Sequence, residues 1–576
     1  MLTVPTDNKE LVTFAGEMIE ACMVSADYRM AEYRVLNAIA ETGRYTGQKA
    51  LLNLLNRHLS RLAAHLFSPV ELKFALDYER PVPKRFMEMG KFAAKSLTRL
   101  WERNSTDTLF GRGVFEGAKY GACLMKQWPE TTGFDEDIVY NAKLVMPWNF
   151  GVFNETENDI SKQYALCETV TLTKPEVWRR VHHLPGAKKL YERICSHATR
   201  GADSGGPQSF FHQLLSTSQL QTGVDQNTRP LPGGIVNFGN DANYSVMAPT
   251  LGTESVKMHE LWVKDQEFGD YVTIQMVAPD VIIAPIYKKA NLLGKDLRTQ
   301  PYRLIQPNEV TNWFWGRSEL VDLVEPQALL STWLDDLQRL FGIQVDKLIG
   351  FMGEAGLTDE MYGQMRQAGF FNLPQGSTMQ DVTPKIPPEA LSLIKFLIEA
   401  INTLGEFSPI MQGQGEQGVR SMAHASTLLK TASPTMRDRA LLVERQCAVS
   451  ADLTLTLMEA KEDEFYWTKA DTVSEAEDTK FTISALPEWW RVTVDSHSSS
   501  PIFADEFAQL IMAAFKMGIV DSEYVLDNLA FPEKEMAKVN AKEREKSKQA
   551  LIQKLMQADP ETATKVLGKS MGGGKR

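Results

Sequence analysis

The sequence predicts a helix-rich α+β protein, and three observations carry that expectation. Long stretches place apolar side chains at helical spacing. Shorter runs of alternating apolar and β-branched residues lie between them, bounded by Gly, Pro, Asn and Asp. The composition, 43% hydrophobic and 23% charged with 11 Trp, is that of an ordered protein. With 576 residues, the chain can form several domains or one body with long insertions.

Taken in order, Glu17–Glu41 and Gln48–Phe67 are expected amphipathic helices. Leu51, Leu54, Leu55, Leu59, Leu62 and Leu66 line one face of the second. Phe86–Arg103 is a third helix. Strands are expected at Lys143–Asn154 and Tyr164–Thr173, after which Lys174-Pro175-Glu176 opens a helix through Trp178 and Val181. Residues 201–243 are rich in Gly, Ser, Gln, Asn and Pro, the composition of a long loop or insertion. Glu254–Val263 and Tyr271–Val277 then form a hairpin across Asp265–Asp270, and Val281–Pro285 adds a third strand.

Residues 315–430 are the most informative. Ser318 in Trp315-Gly316-Arg317-Ser318 can cap a following helix, and Glu319 and Asp322 suit the positive end of its dipole. Leu320, Leu323, Val324, Leu330, Leu334, Leu337 and Phe341 recur at helical spacing. A short insert follows: a strand at Leu348–Met352, a helix from Thr358 to near Gly369 and a second strand at Phe370–Leu373. It is too small for a core of its own. A second helix opens at Pro387-Pro388-Glu389 and runs through Leu391, Ile394, Ile398, Ile401 and Leu404 to Gly405. Next come a Gly-rich polar loop and a long helix, Ser421–Ala432 and Thr435–Lys461, interrupted at Pro434. Leu428, Leu429, Leu441, Leu442, Val449, Leu453, Leu455 and Leu457 are its expected core. Strands at Lys480–Ile483 and Trp489–Val494 precede helices at Glu506–Met517, Ser522–Leu529 and Glu533–Met556, with a flexible tail at Gly572–Arg576.

Two helices that carry a small tip and return to a glycine-rich loop resemble the portal proteins of tailed bacteriophages, in particular the head-to-tail connector family of short-tailed phages. The resemblance spans roughly residues 140–460. It rests on Gly316-Arg317-Ser318, on Lys347-Leu348-Ile349-Gly350, and on Arg420-Ser421-Met422-Ala423 leading into Leu428-Leu429. Where family members carry a glutamate, this chain has His424-Ala425, so any salt bridge of that residue is not carried over.

The resemblance implies a division into an N-terminal wing part over 1–316, stem helix 1 over 317–343, a clip over 344–387 and stem helix 2 over 388–407. A tunnel loop over 408–422, a second wing part over 423–500 and a C-terminal crown and tail over 501–576 complete it. It further implies a homododecameric ring at one capsid vertex of the virion, assembled in the host cytoplasm, which serves DNA packaging and ejection and joins head to tail. Implied partners are copies of itself, the terminase large subunit, tail adaptor proteins, the major capsid and scaffolding proteins, and double-stranded DNA in the channel.

Charge suits a conduit. The net charge is −11, and the two stem-like helices carry Glu319, Asp322, Glu325, Asp335, Asp336, Glu399 and Glu406 as the expected channel lining. A duplex-gripping protein would cluster Lys and Arg instead. The bland alternative is that these acidic residues form solvated helix faces. In the loop, Gly413, Gly415 and Gly418 give backbone freedom, and Gln414, Glu416, Gln417 and Arg420 are candidates to face DNA; a plain inter-helix linker is the alternative. Candidates for the terminase or adaptor contact on the clip are Tyr362, Arg366, Gln375 and Lys385.

Covalent chemistry finds little support. Gly568-Lys569-Ser570 lacks the upstream glycine of a phosphate loop, having Ala563 there. His182, His183, Cys195 and His197 lack the paired spacings of a zinc site, and His259-Glu260 lacks a second histidine. Asp135-Glu136-Asp137 reads as a solvated turn. No enzyme activity, metal or cofactor is expected. The five cysteines, Cys22, Cys123, Cys167, Cys195 and Cys447, are scattered and odd in number, which argues against a disulfide framework. No secretory signal is expected, and no membrane span either: the longest apolar stretch, around Val272–Tyr287, is broken by Asp280 and two prolines. The remaining alternatives are another virion structural component, internal or tail-tube, and a nucleic-acid enzyme.

Overall fold

In the computed structural model, the described residues are 4–200, 254–283, 299–345, 349–352, 378–381, 389–405, 434–500 and 510–520, apart from short interruptions within these ranges. The fold is mixed α+β with antiparallel sheets. Helices α1 (Asn8–Met23), α2 (Ala26–Thr42) and α3 (Leu55–Leu66) open it, followed by β1 (Phe74–Tyr78), α4 (Lys84–Arg103) and α5 (Thr106–Tyr120). Strands β2 (Cys123–Thr131), β3 (Ile138–Val145), β4 (Phe150–Val152) and β5 (Ala165–Thr173) precede a helical hairpin, α6 (Lys174–Val181) and α7 (Ala187–Ser196). Then come β6 (Thr199–Arg200), β7 (Glu254–Asp265), β8 (Asp270–Val277), β9 (Val281–Ile282) and β10 (Tyr302–Ile305). Helices α8 (Val324–Val345) and α9 (Glu389–Leu404) flank the strands β11 (Ile349–Met352) and β12 (Thr378–Asp381). Helix α10 (Pro434–Ala460) and strands β13 (Glu464–Lys469), β14 (Glu477–Thr482) and β15 (Trp490–Val494) follow.

Several boundaries correct the sequence reading. The helix expected over Glu17–Glu41 is two helices, because Ser25 turns its hydroxyl to Glu155 at the break. The helix expected from Gln48 starts at Leu55: Asn53 Oδ1 accepts the Leu55 N–H at 3.1 Å while its amide donates to Ala40 O, so the asparagine ends the preceding loop. Leu51 accordingly lies 68% exposed, whereas Leu55, Leu59, Leu62 and Leu66 are buried. The strand expected over Lys143–Asn154 breaks at Pro147 into β3 and β4, since proline cannot donate to a ladder. On α10 the buried stripe is Met436, Ala440, Val443, Cys447 and Ala451, joined by Leu453, Leu455 and Leu457; Leu441 and Val449, expected in the core, face outward. Strand β11 pairs with β12. Helix α6 starts as expected, with a capping box between Thr173 and Glu176, and β7–β8 is the expected hairpin.

Three layers result. On one face of the β4-β5-β7-β8-β9 sheet, Ala165, Cys167, Leu261, Val263 and Ile274 pack against α1 through Leu11, Phe14, Ala15 and Met18. The opposite face meets the β10-β2-β3 sheet, behind which lie α2 to α5 and α10 in the largest core. Between the sheets sits a buried charge cluster. Register places Glu168 directly opposite Glu260 on neighbouring strands, a destabilising pair by itself. Lys126 from β2 resolves it, with its ammonium 2.8 Å from Glu168 and 2.5 Å from Glu260. Lys143 adds a second contact to Glu168 at 2.6 Å, Tyr302 donates to Glu168 at 2.8 Å and Trp262 donates to Glu260 at 3.0 Å. Burial raises the Glu260 pKa, but Lys126 outweighs it, and the carboxyl stays below its usual range.

Candidate functional site at the base of two packed helices

Helices α8 and α9 pack on each other, and their root in the body is built from residues remote in sequence. Gly121 and Gly316 meet there with no side chain between them. Gly316 has φ +63°, and a Cβ on it would lie 2.7 Å from Asn308 O and 2.8 Å from Gly121 O. Gly121 has φ +96°, and its Cβ would lie 2.6 Å from Trp315 O. Only glycine permits both the left-handed backbone and the approach. Trp315, held at that turn, donates to Glu155 at 2.7 Å and lies under the Arg29 guanidinium at 3.6 Å.

Ser318 was the expected helix cap. Its hydroxyl donates to Lys119 O at 2.6 Å and accepts the Leu320 N–H at 3.1 Å, but residues 319–323 form turns and α8 starts only at Val324. The Glu319 N–H is spent on Ala118 O at 2.9 Å, which ties this segment to the end of α5 instead of to a helix. Once helical, α8 is clamped by Gln327, fully buried: its amide donates to Leu52 O and Ser331, and its carbonyl accepts from Leu54 N. Ser331 in turn donates to Gly43 O at 2.8 Å.

Glu319 is the centre of a charged joint. Its side chain is 8% exposed, with His58 Nε2 at 3.5 Å, Arg439 of α10 at 3.1 Å and Asn308 at 2.8 Å. Burial raises its pKa, but the His58 hydrogen bond and the Arg439 charge outweigh it and hold the carboxyl below its ordinary value. Above the His58 ring sits Gly405, at the end of α9, where a Cβ would lie 2.4 Å from the imidazole. A cleft of about 490 Å³ opens beside this joint, lined among others by Arg317, Asp322, Leu404, Asp438 and Arg439.

The lowered Glu319 pKa makes this joint sensitive to acid. Its contribution to stability is complete above the ordinary glutamate value of about 4.3 and is lost as pH falls through the lower folded value. Glu319→Gln is therefore expected to cost about 1.5–3 kcal/mol near neutrality, the range for a hydrogen bond to a charge. Urea unfolding of both proteins between pH 3 and 7 checks this, and a gap that stays constant down to pH 3 counts against it.

The acidic residues expected to line a channel divide. Glu319 is corrected: burial and three partners spend its charge within the fold. Asp335 pairs with Arg44, and Asp322 pairs with Arg317 at 2.6 Å on the surface. Glu325, Asp336 and Glu399 are exposed. Glu406, the loop residues Gly413, Gln414, Gly415, Glu416, Gln417, Gly418 and Arg420, and the tip residues Tyr362, Arg366, Gln375 and Lys385 lie outside the described residues. So do the expected loop at 201–243, the strand at 370–373 and the helices at 358–369, 421–432 and 533–556.

No family model and no curated protein matches this chain. Among the described residues no group of three or more His, Cys, Asp or Glu could hold a metal ion, and no helix is long and apolar enough to cross a membrane. His259 contacts Thr169, and Glu260 belongs to the Lys126 cluster. The five thiols are unpaired. Sequence reasoning missed His58 and Arg439, which come to Glu319 from distant segments, and Asn308, which comes from eleven residues upstream; none carries a local signal.

Proposed function

We propose that the chain is a ring-forming portal protein, whose α8–α9 pairs, repeated about an axis, enclose a channel for DNA. The observation that supports this reading is a row of large apolar side chains that the fold leaves uncovered along the pair. On α8, Leu330 is buried and Leu334 and Leu337 are partly buried, while Leu329 and Phe341 are exposed. On α9, Ile394, Leu397 and Ile401 are buried on one face, while Leu391, Leu393, Phe396 and Leu404 are exposed, Phe396 at 64%. Two rods that leave a core, end in the β11–β12 pair and expose large apolar side chains suit packing against neighbouring copies. Exposed Glu325, Asp336 and Glu399 suit a wall that does not bind phosphate.

Negative-stain microscopy of the purified full chain is the test. Rings with a central hole are expected, and a uniform monomer at micromolar concentration overturns the reading. Deleting Gln412–Gly418 is expected to leave ring assembly intact and to reduce DNA filling of capsids; unchanged filling counts against a role for this loop.

A further inference from the structure

The net charge of −11 conceals a strongly basic element. Residues 174–200 carry seven Lys and Arg against Glu176 and Glu192, a net +5 in 27 residues. Most of them form the α6–α7 hairpin, whose Val177, Val181 and Ile194 pack on Leu172, Val256 and Met258 in a core of their own, separate from that of α8 and α9. The outward surface is then predominantly basic: Arg179, Lys188, Lys189 and Arg193 are exposed, against exposed Glu176 and Glu192. Arg179 is engaged with Glu130, but Lys188 and Lys189 make no ion pair among the described residues. Both lysines stand in the first turn of α7, which has no side-chain cap. The helix dipole is positive at that end, so the arrangement weakens the helix in the absence of an anion.

We infer that the tip of this hairpin binds the phosphate backbone of duplex DNA without regard to sequence. Clustered exposed Lys and Arg on one element are the electrostatic footprint of such binding. Helix α7 spans about 15 Å, enough to lie along several phosphates. Duplex is favoured over single strand because the two large aromatics here, Trp178 and Tyr191, are engaged edge-to-face with each other, with centroids 5.3 Å apart. Their edge-to-face contact joins α6 to α7, so the pair serves the packing of the hairpin and is not a row of parallel rings on which successive bases stack. This surface is independent of the ring reading, because it lies on a different core from the stem helices.

Fluorescence anisotropy of the full-length protein with a labelled random 30-bp duplex, across 50–200 mM salt, tests the assignment. Wild-type affinity is expected to fall with salt, and Lys188→Glu with Lys189→Glu is expected to weaken it at least ten-fold at 50 mM. The same pair should reduce the log–log salt slope by about 2, from roughly 0.9 per phosphate lost. Lys188→Gln with Lys189→Gln should give a smaller loss in the same direction. Lys84→Glu with Lys91→Glu, at exposed positions of α4, is the charge-matched control and should change affinity less than three-fold. Equal losses in the hairpin and control variants overturn the inference. So does a preference for single strands that Trp178→Ala abolishes. A changed oligomeric state in the hairpin variant with unchanged DNA affinity also overturns it, and assigns the surface to an acidic face of another copy.

Discussion

Replacing Lys126 with methionine is expected to destabilise the protein by about 3–5 kcal/mol, the range for stranding buried charge. The substitution removes the ammonium that lies 2.8 Å from Glu168 and 2.5 Å from Glu260, and leaves the two carboxylates facing each other across adjacent strands. Lys143 still reaches Glu168, but Glu260 keeps only the neutral Trp262 donor, since the Tyr302 hydroxyl donates to Glu168. Adding Glu260→Gln to the variant should restore part of the loss, because it deletes the orphaned charge. Urea denaturation of the single and double variants measures both effects. A Lys126→Met protein as stable as wild type would mean that water reaches the cluster.

The second large effect is expected at the glycine crossing. Gly316→Ala and Gly121→Ala should each cost about 3 kcal/mol or more, since each combines a strained left-handed backbone with overlap against main chain that cannot swing aside. Because the two positions occupy one contact, the double variant should cost clearly less than the two losses added together. Additive losses in thermal unfolding would show that the crossing opens independently at each side.

How far the sequence reaches is clear from these same places. Periodicity located α4, α6, α9 and the β7–β8 hairpin, because each has a regular apolar face and sharp Pro or capping signals at its ends. It failed at the start of α8. Ser318 and Glu319 have the composition of a helix start, yet their polar groups are claimed by α5 and by His58, contacts that no local pattern encodes. Thr106–Tyr120 was overlooked as a helix since it holds three glycines, which lower local helix propensity. Gly113 and Gly117 are needed there for close approach to Ile305, a fact of tertiary packing. The Lys126 cluster was invisible for a similar reason: its charged members come from four strands and Tyr302 from a fifth, and each charge alone reads as an ordinary surface charge. The hairpin charge, by contrast, stands in the sequence, but the total of −11 hides it.

The clamp on α8 has a mechanical consequence. Gln327 and Ser331 fix one end of a rod about 33 Å long, and its distal end leans mainly on α9. Such a cantilever concentrates bending at its anchorage: a sideways pull of about 1 Å at the tip turns the root by roughly 2°. Leverage of that kind would reach the Leu52 and Gly43 carbonyls first, so whatever tugs on the tip is felt by α2 and α3 before the sheets respond.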